Sequence, residues 1–341
     1  MAQSLFLNRG SKDNSIVVPQ TLGERQLFND VRALRSFDPI KNAVQNNEID
    51  PNAKDENNYS VLMYSIDYDD FPTTQLLISK GADVNAKNSD GDTPLIMATG
   101  RDDRPLRTVE LLISKGADVN AKNSYGTTPL INASAGDDRL LRTVELLVSK
   151  GADINAQDEY GSTPLAIATG KGNWNIIKFL VSKGCDLNTK DKYGKTPLLT
   201  VLRHKYFPIV EFLISKGADI HAGNESGSAL AYACYFGDKS IIELLVSKGA
   251  DVNAKNSYGS TPLMIAMMNN APKEVIDFLI SKGADPNIKN NKGTSPYDYD
   301  KGLFKRLPPR PKEVPPPQQW KGGRKTRKQK KHSKKTRKHR K

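Results

Sequence analysis

The sequence predicts an all-α solenoid: a single row of short helical pairs with a projecting, β-hairpin-like finger on each repeat. Two strings recurring in phase, and one physical argument, support this. The first string is LLISKGADVN, which begins at Leu76 and again at Leu111. It returns as LLVSKGADIN from Leu146, FLVSKGCDLN from Phe179, FLISKGADIH from Phe212, LLVSKGADVN from Leu244 and FLISKGADPN from Phe278. Its glycines, Gly81, Gly116, Gly151, Gly184, Gly217, Gly249 and Gly283, are spaced by 35, 35, 33, 33, 32 and 34 residues. The second string, Gly-x-Thr-Pro-Leu, spans Gly91–Leu95, Gly126–Leu130, Gly161–Leu165, Gly194–Leu198 and Gly259–Leu263, with degraded copies at Ser60–Leu62, Ser228–Leu230 and Ser295–Tyr297. The physical argument is that a unit of about 33 residues cannot bury enough apolar surface alone, whereas stacked units share one core.

The N-terminal 1–23 carries no clear signal apart from its last residues. Thr21-Leu-Gly-Glu24 is a capping-box pattern, and Leu27, Phe28, Val31 and Leu34 form one apolar stripe at helical spacing. Asp38-Pro39 opens a further short helix, and Asp50-Pro51-Asn52-Ala53 mirrors Asp285-Pro286-Asn287, so 24–56 reads as a degenerate repeat capping one end. The array follows over 57–302, with repeats at about 57–87, 88–122, 123–157, 158–190, 191–223, 224–255 and 256–289 and a partial one at 290–302. In each repeat proline begins a helix, where its missing N–H costs nothing, and the preceding threonine caps it. Apolar residues then follow at helical spacing, as in Leu165, Ile167 and Ala168. A second helix carries Val109, Leu111, Leu112 and Ile113, or Ile176, Ile177, Phe179 and Leu180. It stops at Ser-Lys-Gly, with lysine in the last turn at the negative end of the helix dipole and glycine free to turn left-handed. Ala-Asp-Val-Asn-Ala then leads to the finger.

These residues closely resemble the ankyrin repeat, whose pattern runs Gly-x-Thr-Pro-Leu-His-x-Ala, then Val-x-x-Leu-Leu, then Gly-Ala-Asp-Val-Asn-Ala. The resemblance covers about residues 57–299. The family's histidine after Thr-Pro-Leu is replaced by Ile96, Ile131, Ala166, Leu199 and Met264, which removes one inter-repeat hydrogen bond but not the fold. The resemblance implies a non-enzymatic scaffold that binds a protein partner on the concave face made by the fingertips and first helices.

The formal charge of +13 conceals a split. Residues 321–341 hold 13 Lys+Arg and no acid, whereas the first 300 residues hold 33 bases and 37 acids. Two cysteines, Cys185 and Cys234, suggest neither a disulfide framework nor a zinc site and fit a reducing compartment; Cys185 replaces the alanine after glycine as a small packing residue. No apolar run approaches the ~18 residues of a membrane span, so a soluble intracellular protein is expected, as a monomer. His204, His221, His332 and His339 have no metal-ligand spacing, and no nucleophile–base set or phosphate-cradling loop is present. No enzyme activity, cofactor, metal or small-molecule substrate is therefore expected.

Two strips are candidates for the partner. The residue before each fingertip glycine is Asp90, Tyr125, Tyr160, Tyr193, Ser226, Tyr258 and Lys292 in turn. The four tyrosines supply large, rigid, amphipathic area of the kind interfaces favour, or else each ring stacks on its neighbouring finger and stiffens the array. At the ends of the first helices the residues change from small to bulky along the array, and Arg203, His204, Tyr235, Phe236 and Met268 form the second candidate, the alternative being that Tyr235 and Phe236 fill space in an irregular repeat. Asp102, Asp103, Asp137 and Asp138 lie on longer turns, solvated or forming a small acidic patch. The repeat at 224–255, which has Ser228-Ala229 in place of Thr-Pro and follows Ala222-Gly223 where others have Ala-Lys, is expected to open first.

Beyond the array, 303–320 reads as a semi-rigid proline spacer (Pro308, Pro309, Pro311, Pro315, Pro316, Pro317); Pro308-x-x-Pro311 lacks the basic flank of an SH3 ligand. Residues 321–341 are expected to be disordered, because their charges repel and nothing is available to bury. Arg324, Lys325, Arg327, Lys328, Lys330, Lys331, Lys334, Lys335, Arg337, Lys338, Arg340 and Lys341 are candidates to contact an import receptor, giving nuclear or nucleolar location, or to bind nucleic acid without sequence preference; an acidic membrane is a third use. Trp320 is the one aromatic nearby, so base stacking would be sparse. In the alternative function, the protein is a nucleic-acid binder acting through this tail, with the solenoid as carrier.

Overall fold

The computed structural model describes residues 22–34, 36–100 and 106–299. Thr21, the side chains of Glu24, Val31 and Leu34, Arg101, Asp102 and Asp103, the proline spacer and the basic run with its twelve candidate residues lie outside the described residues.

The fold is a row of helical pairs. The first pair is α1 (Leu22–Leu34) and α2 (Asp38–Gln45). Then follow α3 (Val61–Asp67) with α4 (Phe71–Ser79), α5 (Pro94–Ala98) with α6 (Leu106–Ser114), α7 (Pro129–Ala135) with α8 (Leu141–Ser149), and α9 (Pro164–Lys171) with α10 (Trp174–Ser182). The row continues with α11 (Pro197–His204) and α12 (Phe207–Ser215), α13 (Ala229–Phe236) and α14 (Lys239–Ser247), α15 (Pro262–Met268) and α16 (Lys273–Ser281), and ends on α17 (Pro296–Tyr299). From α3 onward each first helix packs on the next first helix, and second helices form a parallel file. The edge of the Trp174 ring meets Phe212 at 5.1 Å, joining α10 to α12. A single hydrophobic core runs from Phe28 and Ile40 through Leu95, Leu130, Leu165, Leu198 and Leu230 to Leu279. Ile96, Ile131, Leu199 and Met264, which stand where the family has histidine, are buried in it or at its edge.

The helix starts are where the sequence places them. Thr93, Thr128, Thr163, Thr196 and Thr261 accept hydrogen bonds from the amides of Ile96, Ile131, Ala166, Leu199 and Met264 at 3.2–3.4 Å. Ser228 and Ser60 cap in the same way in the repeats without threonine. Thr163→Ala is expected to lower stability by about 1 kcal/mol, the usual effect of losing an N-cap, while Thr163→Ser is expected to be nearly neutral; urea unfolding of the two variants compares them. The second helices end on serine, whose hydroxyl donates to the carbonyl three residues back, as Ser182 does to Phe179 at 2.7 Å. The lysine therefore follows the helix instead of occupying its last turn. Where phenylalanine stands four residues before it, its ammonium turns back over the ring, Lys183 over Phe179 at 5.5 Å and Lys216 over Phe212 at 5.8 Å.

The fingers are turns more than hairpins. A two-stranded ladder forms between β1 (Gly223–Asn224) and β2 (Gly227–Ser228). In the other fingers an asparagine or aspartate carboxamide or carboxylate oxygen locks the loop, as Asn123 accepts from the amides of Tyr125 and Thr127 at 3.0 and 2.9 Å. The tip amides are directed at the neighbouring finger: Ser124 donates to Asp90, Glu159 to Tyr125, Lys192 to Tyr160 and Asn291 to Tyr258, at 2.8–3.0 Å. That ladder skips one step. Among the described residues no amide donates to the carbonyl of Tyr193.

A second set of bonds rivets repeat to repeat. Asn52, Asn85, Asn120, Asn155, Asn188 and Asn253 accept from the amides of Asp83, Asp118, Asp153, Asp186, Asp219 and Asp285 at 2.8–2.9 Å. Asn85 and Asn120 also donate to the carbonyls of Gly116 and Gly151 at 3.0 Å. His221 stands in the corresponding place ahead of the finger at Gly223–Ser228, and its amide bonds locally to Asp219 at 2.8 Å. Among the described residues nothing accepts from the amide of Asp251, so this rivet is missing.

Candidate functional site

Large apolar side chains are sorted by face. The exposed ones among the described residues are Tyr68, Tyr125, Tyr160, Tyr193, Tyr235, Tyr258 and Met268, from 40 % to 67 % accessible. Each lies on a fingertip or at the far end of a first helix. The outer apolar residues of the second helices, such as Ile113, Phe179 and Phe278, are instead half-buried against the core. The sorting follows from the helical period: second helices face their own pair and their neighbours, whereas fingertips and first-helix ends have no element packed outside them.

The fingertip strip holds Tyr125, Tyr160, Tyr193 and Tyr258. No ring of this row lies face to face with another. Between two of them lies a cation: Lys192 places its ammonium 3.6 Å from the ring centre of Tyr160 and 5.3 Å from that of Tyr193. Lys195 adds a second ammonium 5.3 Å from the Tyr193 ring. The neighbouring Glu159 carboxylate pushes the Tyr160 phenol above its ordinary pKa.

At the other end of the first helices, Arg203 and His204 close α11, Tyr235 and Phe236 close α13, and Met268 closes α15. All but Phe236, which is half-buried, are exposed. Tyr235 meets Phe236 edge-on at 5.0 Å, Lys205 sits 5.0 Å over the Phe236 ring, and His204 stacks on Tyr206 at 5.9 Å. Tyr206 in turn covers the turn of the preceding repeat, its hydroxyl 3.5 Å from the Lys171 carbonyl. The two strips are separated by the length of a first helix, roughly 12 Å for eight residues. Between them Met97, Asn132, Ile167, Thr200, Tyr232 and Ile265 form a half-buried floor.

That floor and Tyr68 escaped the reading of the sequence. Floor residues lie four positions after each cap, a signal visible in the alignment of repeats, and Tyr68 lies eight positions after Ser60 in a repeat whose start is degraded. Tyr68 stacks on Phe37 at 5.6 Å. Asp137 and Asp138 serve the turn: the Arg139 amide, donating to Asp137 at 2.7 Å, and the Arg139 side chain at 2.6 Å hold the Asp137 carboxyl below the ordinary range, and Asp138 receives the amide and carboxamide of Asn175.

Cys185 and Cys234 are buried thiols, and burial pushes Cys185 up to about 11 and Cys234 higher still. Cys185 fills the place that Ala117 and Ala152 hold in their repeats. Among the described residues no group of three or more His, Cys, Asp or Glu could hold a metal ion, and no helix is long and apolar enough to cross a membrane.

The family model described as ankyrin repeats (3 copies) matches at residues 32–123, 62–158, 130–224 and 221–290. An ankyrin repeat-containing protein of Schizosaccharomyces pombe is 37 % identical over 49 residues, 14 % of this chain and 24 % of that protein. The chain thus spans about a quarter of the length of the curated relative it matches.

Proposed function

The chain belongs to the ankyrin-repeat family, and from that premise we propose that it is a scaffold that captures a protein partner on the face made by its fingertips and first helices. Ankyrin repeats form a protein–protein interaction domain, and the family is generally non-enzymatic. The observation that carries the finer reading is the sorting of every large exposed apolar side chain among the described residues onto that face. Tyrosine and methionine at the rim, over a half-buried floor, supply the anchors and desolvated area from which interface hot spots are built.

The basic run would then set location through an import receptor, or add contact with nucleic acid. Its 13 Lys+Arg without an acid support either use. In the rival reading nucleic acid is the main ligand and the array a carrier.

Affinity capture with the full chain, followed by titration of the captured protein, separates the two. Tyr235→Ala with Phe236→Ala is expected to weaken that partner by roughly 30-fold, the loss of about 2 kcal/mol at a hot spot. Deletion of 321–341 is expected to leave its affinity unchanged. Unchanged affinity in the double variant would remove the helix-end cluster from the site. Loss of all binding on the deletion would favour the carrier reading.

A further inference from the structure

The spacing of two rings in the fingertip row is bounded by the lysine between them. Lys192 lies 3.6 Å from the Tyr160 ring centre and 5.3 Å from that of Tyr193, which holds the two centres within about 9 Å of each other. A polyproline II helix repeats every three residues at ~3.1 Å each, roughly 9 Å, which matches the upper bound of that spacing, so one face of such a helix would set successive side chains on Tyr160 and Tyr193. Its backbone makes no internal hydrogen bonds, and its carbonyls would find donors on this row in Lys192, Lys195 and the hydroxyls of Tyr193 and Tyr258.

The chain carries one segment with the matching pattern. In PPRPKEVPPP, residues 308–317, the positions three apart are Pro308, Pro311, Val314 and Pro317, an unbroken apolar line. The other two lines contain Lys312 in one and Arg310 with Glu313 in the other. Just one face of the segment is therefore uniformly apolar.

The described chain also ends beside the row. Tyr299 accepts a hydrogen bond from the Asn290 carboxamide at 3.4 Å, and the adjacent Asn291 donates its amide to the carbonyl of Tyr258 at 3.0 Å. Residues 300–307 span up to roughly 26–29 Å when extended, about three fingertip steps. Pro308 can thus reach Tyr258 or Tyr193.

We propose that the fingertip tyrosines dock the chain's own segment 308–317 in the polyproline II form, so that this segment competes with the protein partner for the same strip. The proposal rests on the reading of the row as a docking strip. In the full chain, benzoylphenylalanine in place of Tyr193 is expected on illumination to form adducts within 308–317 of the same molecule. The yield is expected to be independent of protein concentration and to fall about tenfold in Pro308→Gly/Pro311→Gly/Pro317→Gly, because glycine removes the preorganised conformation. Adducts confined to 321–341, adducts between two molecules, no adduct, or a yield unchanged in the triple variant would each overturn it. None of those outcomes touches partner capture, which is scored separately with Tyr160→Ala/Tyr193→Ala and with the helix-end variants.

Discussion

Gly126→Ala is expected to destabilise the array by roughly 3 kcal/mol, against about 1–2 kcal/mol for Gly116→Ala. Both glycines have left-handed backbone, with φ of +72° and +89°. A side chain at either position therefore carries the left-handed strain. The difference lies in what a Cβ would meet. At Gly116 nothing stands within 4 Å. At Gly126 the Cβ would lie 2.9 Å from the amide nitrogen of Glu159 and 3.1 Å from the Cα of Asp158. That backbone cannot yield freely, because Glu159 donates to the Tyr125 carbonyl at 2.9 Å. Relief would require stretching the fingertip ladder, so strain and a lost hydrogen bond add. Urea unfolding of the two single variants measures the gap; equal destabilisation would show that the fingers can part at no cost.

His221→Asn is expected to stabilise the protein by about 1–2 kcal/mol, and Asn120→Ala to destabilise it by a similar amount. Asn120 links two repeats by accepting from the Asp153 amide at 2.8 Å and donating to the Gly151 carbonyl at 3.0 Å. Asparagine at 221 would face the amide of Asp251 and the carbonyl of Gly249 in the same relation. In a linear array, stability is a sum of nearest-neighbour terms, so the junction with fewest bonds opens first. The missing rivet at His221 and the skipped ladder step at Tyr193 flank the same finger. Amide exchange at Asp251 is expected to be faster than at Asp118 or Asp285 in the natural chain, and to slow in His221→Asn. Identical exchange at the three amides, with no gain in stability, would refute the account.

Helix starts, helix ends and the shared core were legible because their signals are local. A threonine cap acts within three residues, as Thr196 does on the Leu199 amide, and the apolar period reads out within two turns. The lysine of Ser-Lys-Gly was misplaced by one residue because helix length there depends on the serine hydroxyl closing the last turn. The tyrosine row was legible as a repeated position, but not the lysine that sits between its rings. The half-buried floor went unread because burial at Ile167 or Tyr232 depends on how far neighbouring repeats overlap.

The sequence by itself determined the period, the helices, their caps and the single core, since each follows from signals that act within one repeat or recur unchanged from repeat to repeat. Only the tertiary structure decided which polar groups join one repeat to the next, which junction lacks them, and which face keeps its aromatics in solvent. The physical reason is range. The rivets join residues 29–33 apart in the chain, and their partners come within reach only once the core has stacked.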